Sequence, residues 1–174
     1  VDHMLGVPIM VPYYLKKFAD CRRDVVVVSP DLGSVTRARN FAQRFDAPLA
    51  IIDKRRQRAN VSEVVHIIGD VRGKKVILVD DVVDTAGTLT NAAKALVETG
   101  GAREIYACAT HGVLSGPAVG RIRESCLREV LLLDTIPVPP AKRIDKIVTL
   151  PVAPVFAEAI DRIYEDKPIS TLFD

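Results

Sequence analysis

The residues with the most chemistry per position run from Lys75 to Thr90, Lys-Val-Ile-Leu-Val-Asp-Asp-Val-Val-Asp-Thr-Ala-Gly-Thr-Leu-Thr. An apolar run that ends in two carboxylates, Asp80 and Asp81, and passes through small residues into a helical pattern reads as a buried parallel strand delivering a loop to a helix N-terminus. In that helix Leu89, Ala92, Ala93, Leu96 and Val97 fall at i, i+3, i+4, i+7 and i+8, so it begins near Thr88, and Gly100-Gly101 end it. Its unsatisfied N–H groups and its dipole then face Asp84, Thr85, Ala86, Gly87 and Thr88. Gly87 permits close backbone approach there, and Thr85 and Thr88 add hydroxyl donors, a combination suited to a phosphate. There is no Gly-x-x-x-x-Gly-Lys pattern, so this is not a Walker loop. Asp80 and Asp81 would repel a bare phosphate and suit sugar hydroxyls or Mg²⁺ instead. The two halves of the motif together predict a phosphorylated sugar.

A loop of this kind needs a sheet behind it, and the chain supplies one. At 174 residues and 48% hydrophobic, it suits a single domain with a sizeable core and shows no linker, repeat or low-complexity tract. Val25 to Val28 reads as a buried strand, and Ser29-Pro30-Asp31-Leu32-Gly33-Ser34 as the turn leaving it. Ser34 is placed to cap the next helix, whose apolar residues Ala38, Phe41, Ala42 and Phe45 keep helical spacing while Arg37, Arg39 and Arg44 face out. A strand, a glycine turn and a helix start make a second anion site. Further strands are expected at Pro48–Ile52, Glu63–Gly69, Glu104–Thr110, Glu129–Asp134 and Ile147–Leu150. Helices are expected in the later part of Val7–Ala19, to which Pro8 and Pro12 confine the first one, from Ser115 as N-cap through Arg123, and over Val155–Tyr164. His66, among apolar residues, is expected to pack in the core.

The basic run Asp53-Lys54-Arg55-Arg56-Gln57-Arg58 leaves the same edge of the sheet as the two anion turns. A polyphosphate undergoing transfer needs cations to balance charge that moves in the transition state, and a loop of this composition would supply them.

Composition excludes several classes. Twenty-four Lys plus Arg against 22 Asp plus Glu give only +2, too little asymmetry for a nucleic-acid or membrane-surface partner. The apolar runs are short and broken by charges, and Val1 to Tyr14 lacks the charged start of a signal peptide. Cys21, Cys108 and Cys126 are odd in number and not in Cys-x-x-Cys spacing, which points to reduced thiols and a cytoplasmic location. His3, His66 and His111 are scattered, so no preformed transition-metal site is expected.

The Lys75–Thr90 stretch resembles the ribose-phosphate binding loop shared by type I phosphoribosyltransferases and ribose-phosphate diphosphokinases (phosphoribosyl diphosphate synthetases). The basic run separates the two: it resembles the diphosphokinases' flexible catalytic loop, with Lys54 and Arg56 matching their basic pair, whereas most type I phosphoribosyltransferases carry a different loop. The turn Asp31-Leu32-Gly33-Ser34 resembles the diphosphokinases' pyrophosphate loop, whose Asp helps hold Mg²⁺. It departs from the usual Asp-x-Gly-Gly at Ser34 and has Leu32 where a His is frequent. If Ser34 took φ > 0, the cost would be about 1 kcal/mol. Thr110-His111 followed by Ser115-Gly116-Pro117-Ala118 resembles the same family, with His111 a weaker candidate. The ending Ser170-Thr171-Leu172-Phe173 resembles its closing Ser-x-Leu-Phe, which in relatives lies at a subunit contact near a regulatory site.

The resemblance, which covers the whole chain, implies a doubly wound, mainly parallel α/β sheet of the type I phosphoribosyltransferase kind. Residues 1–174 would be one domain, the C-terminal half of a two-domain architecture. The activity implied is transfer of the diphosphoryl group of ATP to the C1 hydroxyl of ribose 5-phosphate, with Mg²⁺ as cofactor, in a homo-oligomer built from dimers. In that reading Asp80 and Asp81 address ribose hydroxyls, and Asp84, Thr85, Ala86, Gly87 and Thr88 the 5-phosphate. Asp31, Leu32, Gly33 and Ser34 take the pyrophosphate, with Asp31 on the metal. Lys54 and Arg56 act on the transition state, and Ser170, Thr171 and Phe173 take regulatory roles. The family's metal-associated catalytic histidine and its adenine site would lie in the other half, so this chain alone is expected to be inactive. A type I phosphoribosyltransferase and a nonenzymatic regulatory relative are the alternatives.

Overall fold

Runs of valine, isoleucine and leucine buried on both sides set the architecture. Val25 to Val28 are at most 1% exposed, as are Val76 to Val79, so these segments read as strands covered on two faces. A computed structural model describes residues 3–55 and 64–172. In chain order it contains α1 (Val7–Lys17), β1 (Val25–Ser29), α2 (Val35–Phe45), β2 (Leu49–Arg55), β3 (Val64–Ile68), β4 (Lys75–Val83) and α3 (Gly87–Glu98). There follow β5 (Glu104–Gly112), α4 (Ala118–Glu124), β6 (Leu127–Leu133), β7 (Ile147–Leu150) and α5 (Ala153–Tyr164).

The strands form one sheet in the order β3-β2-β1-β4-β5-β6-β7. Every pairing is parallel except β2 with β3. Alternate residues of each strand feed two cores. Val26, Val28, Leu78 and Ala107 pack with Leu89, Ala93 and Leu96 of α3 and Ile122 of α4. Val25, Val27, Ile77 and Cys108 pack with Tyr14 of α1 and Phe41 and Phe45 of α2. After β1 the chain moves outward to β2 and β3, then returns to place β4 on the other side of β1. The crevice beyond the carboxyl ends of β1 and β4 is therefore the switch point at which doubly wound sheets bind ligands.

Several local expectations are corrected. Helix α1 begins at Val7, not after the prolines. Pro8 sits in the first turn, where no N–H partner is needed, and Pro12 is carried inside the helix because Met10, Val11, Tyr14 and Phe18 are buried on one side of it. The Tyr14 hydroxyl also donates to the Ala107 carbonyl at 2.9 Å. The start of the basic run is strand rather than loop: Asp53, Lys54 and Arg55 pair with His66, Val65 and Val64. His66 is exposed rather than packed, because the outer strand β3 has one open side. Ser115 does not cap α4, whose cap position is Pro117. Among the described residues no helix is long and apolar enough to cross a membrane.

Candidate active site

The turn after β1 is held by its own polar groups. Ser29 Oγ donates to the Asp31 carbonyl at 2.7 Å, and the Ser34 N–H donates to Asp31 Oδ1 at 2.9 Å. Leu32 is 63% exposed and so contributes main chain rather than packing. Ser34 has φ −91° and ψ 2°, so the residue that replaces a glycine carries no left-handed strain. It occupies the cap position of α2, yet no side chain caps that helix. Its hydroxyl is diverted across the crevice to Asp80 Oδ1 at 3.1 Å.

Strand β4 runs on through both aspartates to Val83, pairing with β5 as far as Gly112. Asp80 is half-buried and Asp81 exposed. Arg37, in the first turn of α2, reaches both: its Nη2 lies 2.9 Å from Asp81 Oδ2 and its Nη1 3.8 Å from Asp80 Oδ1. The same Nη1 lies 3.2 Å from Ser34 Oγ. Burial raises the Asp80 carboxyl above its ordinary value and the Asp81 charge adds to this, although hydrogen bonds from the Asp81 N–H and Ser34 oppose it. For Asp81 burial acts in the same sense, but the Arg37 charge together with hydrogen bonds from Asp80 and main-chain N–H groups holds it below the usual value. The pair is thus split, Asp80 raised and Asp81 lowered, which is what closely spaced carboxylates of unequal burial do.

Beyond β4 the loop into α3 is tied at both ends. Ser115 Oγ donates to Asp84 Oδ1, the Ser115 N–H donates to the Asp84 carbonyl at 3.0 Å, and the Leu114 N–H to the Val83 carbonyl at 3.0 Å. Ala86 adopts φ +59°, ψ 9°, costing roughly 1 kcal/mol in a residue with a Cβ. Its carbonyl accepts from both the N–H and the hydroxyl of Thr90, at 3.0 and 2.8 Å. No side chain caps α3, so its first N–H groups are presented by a strained, braced turn to whatever occupies the crevice. Arg121 of α4 donates to the Thr85 carbonyl at 3.0 Å and brings a second cation beside the loop.

Asp31, Gly33 and Ser34 from the first turn, Arg37, and the run from Asp80 to Leu89 line one cleft of about 540 Å³. The structure thereby brings together the two anion turns expected from sequence, with the aspartate pair between them. Leu32 does not line the cleft. Lys54 is placed only by its main chain in β2, and Arg56 and Phe173 lie outside the described residues. Ser170 and Thr171 are exposed in a short 3₁₀ turn. His111 turns to a neighbouring, more apolar cavity, with Nδ1 2.9 Å from Thr135 Oγ1. The donors facing the cleft are oxygens, the type Mg²⁺ takes, and Asp31 fits the single-carboxylate contact this ion makes when substrate phosphates complete its shell. Among the described residues no group of three or more His, Cys, Asp or Glu is gathered to hold a metal unaided.

Sequence reasoning missed Arg37 and Arg121. Arg37 faces away from the core as expected, but a position in the first helical turn beyond a ligand loop overhangs the crevice, and that was the available signal. Nothing local marks Arg121, which is brought to the loop by the packing of α4.

Residues 58–174 match the phosphoribosyl synthetase-associated domain. The chain is 64% identical over 173 residues, 99% of its length, to the ribose-phosphate pyrophosphokinase of Caldanaerobacter subterraneus subsp. tengcongensis, covering 54% of that protein. It is 62% identical over its full length to the ribose-phosphate pyrophosphokinase of Clostridium tetani, again covering 54%. The chain thus spans about half the length of the curated relatives it matches. Phosphoribosylpyrophosphate synthetase from Mycobacterium smegmatis superposes with a TM-score of 0.85 at 39% identity, over 95% of this chain and 53% of the other. Orotate phosphoribosyltransferase from Aeropyrum pernix shares the fold, with a TM-score of 0.55 at 17% identity over 88% of this chain and 75% of the other. Switch-point cleft, sheet order and relatives agree: the chain belongs to the phosphoribosyl synthetase family, on the fold of the type I phosphoribosyltransferases.

Proposed function

We propose that this chain is the ribose 5-phosphate- and pyrophosphate-binding part of a ribose-phosphate diphosphokinase. The observation that carries the reading is the meeting of two anion-holding turns across an aspartate pair at one switch point. The α3 loop, Asp84 to Thr88, receives the 5-phosphate on main-chain N–H groups and hydroxyls. Asp80 and Asp81 accept hydrogen bonds from ribose hydroxyls. The turn Asp31 to Ser34 cradles the diphosphoryl group. The C1 hydroxyl oxygen of the sugar attacks the β-phosphorus of ATP as its proton is released to solvent, the bond from that phosphorus to the α-phosphate oxygen breaks with its electron pair left on that oxygen, and AMP leaves. Mg²⁺, held by Asp31 and the phosphates, would supply charge neutralisation. Lys54 and Arg56 would balance the charge that develops in the transition state, so positioning and electrostatics suffice without a nucleophilic side chain.

Nucleotide-binding groups come from the remainder of the longer enzyme, so this chain alone makes little product. The subunits associate: on α5, Phe156, Ile160, Ile163 and Tyr164 are 48%, 67%, 62% and 88% exposed along one side of the helix, an apolar stripe of the kind that marks interfaces.

The test is a chimera in which this chain replaces the matching segment of the Caldanaerobacter relative. With ATP, ribose 5-phosphate and Mg²⁺ it should form AMP within about tenfold of the parent, typically on the order of 10 s⁻¹ for an enzyme, while the isolated chain forms essentially none. A folded but inactive chimera contradicts the assignment, and full turnover by the isolated chain contradicts the division of labour.

A further inference from the structure

Neighbouring residues on an extended strand point to opposite faces, so Asp80 and Asp81, both within β4, would by default address different sides of the sheet. They do not. Asp80 Oδ1 is turned back to accept the Asp81 N–H at 2.9 Å and the Ser34 hydroxyl at 3.1 Å. Asp81 Oδ2 accepts from Arg37 Nη2 at 2.9 Å, and the other arm of the same guanidinium lies against Ser34 Oγ and 3.8 Å from Asp80 Oδ1.

We propose that Arg37 is the positioning residue of this cleft: its guanidinium fork gathers Asp80 and Asp81 to one ligand and so sets the preference for a sugar phosphate that carries its full complement of hydroxyls. This deepens, and rests on, the ribose 5-phosphate reading of the cleft. Three features support it. A planar fork with several donors can engage Asp81, Asp80 and Ser34 together, which a lysine ammonium at one point cannot. Arg37 is one turn along a helix whose opposite side, Ala38, Phe41, Ala42 and Phe45, is buried, so the core fixes where the fork sits. Its charge also offsets two adjacent carboxylates in a crevice that must admit phosphate, and leaves them able to accept hydroxyl hydrogen bonds. Asp31 and Asp84 hold their loops by separate bonds, to the Ser34 N–H and to Ser115, so loss of Arg37 leaves the phosphate end standing.

The test is calorimetric titration of the full chain and of its Arg37→Gln and Arg37→Lys variants with ribose 5-phosphate, 2-deoxyribose 5-phosphate and inorganic phosphate, after confirming equal unfolding temperatures. A hydroxyl accepted by a charged group is worth on the order of tenfold in affinity, so the wild-type chain should prefer ribose 5-phosphate over the deoxy sugar by about that factor. Arg37→Gln should reduce the preference to about threefold or less while keeping inorganic phosphate within a fewfold of wild type, and Arg37→Lys should fall between. An unchanged preference in Arg37→Gln overturns the inference. So does full restoration by Lys, which would make charge alone sufficient, or an equal loss for all three ligands, which would make Arg37 a general anion attractor. Failure of the wild-type chain to bind ribose 5-phosphate would instead overturn the reading of the cleft itself.

Discussion

Ser34 and Asp80, 46 residues apart in sequence, are joined by a 3.1 Å hydrogen bond that takes the hydroxyl of a helix-cap residue away from its helix. The bond links the turn after β1 to the end of β4. Ser34 therefore adds a cross-brace at no conformational cost, since it remains at negative φ. A double-mutant cycle with Ser34→Ala and Asp80→Ala should show a coupling of about 1 kcal/mol by urea unfolding. A coupling indistinguishable from zero would mean that the serine serves its helix instead.

The aspartates should respond to acid in opposite senses. Asp80 has its folded-state pKa raised by burial, so its ionised form opposes folding above that pKa, and the penalty is relieved as pH falls through it. Asp81 has its folded-state pKa lowered: burial opposes this, and the Arg37 charge together with hydrogen bonds from Asp80 and main-chain N–H groups outweighs burial. Its stabilisation is present above the unfolded value and is lost as pH falls through the folded one. At neutral pH, Asp80→Asn should leave the unfolding temperature unchanged or raise it, whereas Asp81→Asn should lower it. The deficit of Asp81→Asn should shrink as pH drops below the ordinary aspartate range near about 3.9. Thermal unfolding followed from acid to neutral pH checks both signs, and a destabilised Asp80→Asn with a neutral Asp81→Asn would reverse the assignment.

In the chimeric enzyme, Lys54→Ala or Arg56→Ala should lower kcat by about 10²-fold while KM for ribose 5-phosphate stays within a fewfold, the pattern of contacts made chiefly in the transition state. Steady-state kinetics separate the two parameters. A large rise in KM at constant kcat would recast the run as a ground-state binding element.

The apolar side of α5 should drive concentration-dependent self-association of this chain, visible by sedimentation, and Ile160→Glu with Ile163→Glu should reduce it. A chain that is monomeric at every concentration would remove α5 from any interface.

What could be read from the residues was whatever depends on local pattern. Continuous valine and isoleucine runs marked β1 and β4, helical spacing from Leu89 to Val97 marked α3, and small residues after paired carboxylates marked the loop between strand and helix. Boundaries failed where packing outweighs propensity. Pro12 lies within α1 because one buried side of that helix outweighs a lost main-chain bond, and Lys54 is in a strand because β3 returns to pair with it. Contacts between remote segments left no local trace. Ser115 over Asp84, Arg121 over Thr85 and Arg37 over the aspartate pair depend on how α2 and α4 lie across the sheet.

If the α3 loop holds the phosphate of a ribose phosphate, the space over Gly87 must stay open. A Cβ built on Gly87 would lie 3.2 Å from Arg121 Nη1 and 3.8 Å from Thr85 Oγ1, inside the cradle rather than against the core. Valine there is tolerable to a helix start but intrudes where the phosphate must approach. Calorimetric titration with ribose 5-phosphate should show saturable binding by the wild-type chain and at least about tenfold weaker binding by Gly87→Val, with little change in unfolding temperature. Equal affinity in the two proteins would mean that the phosphate is not held by this loop.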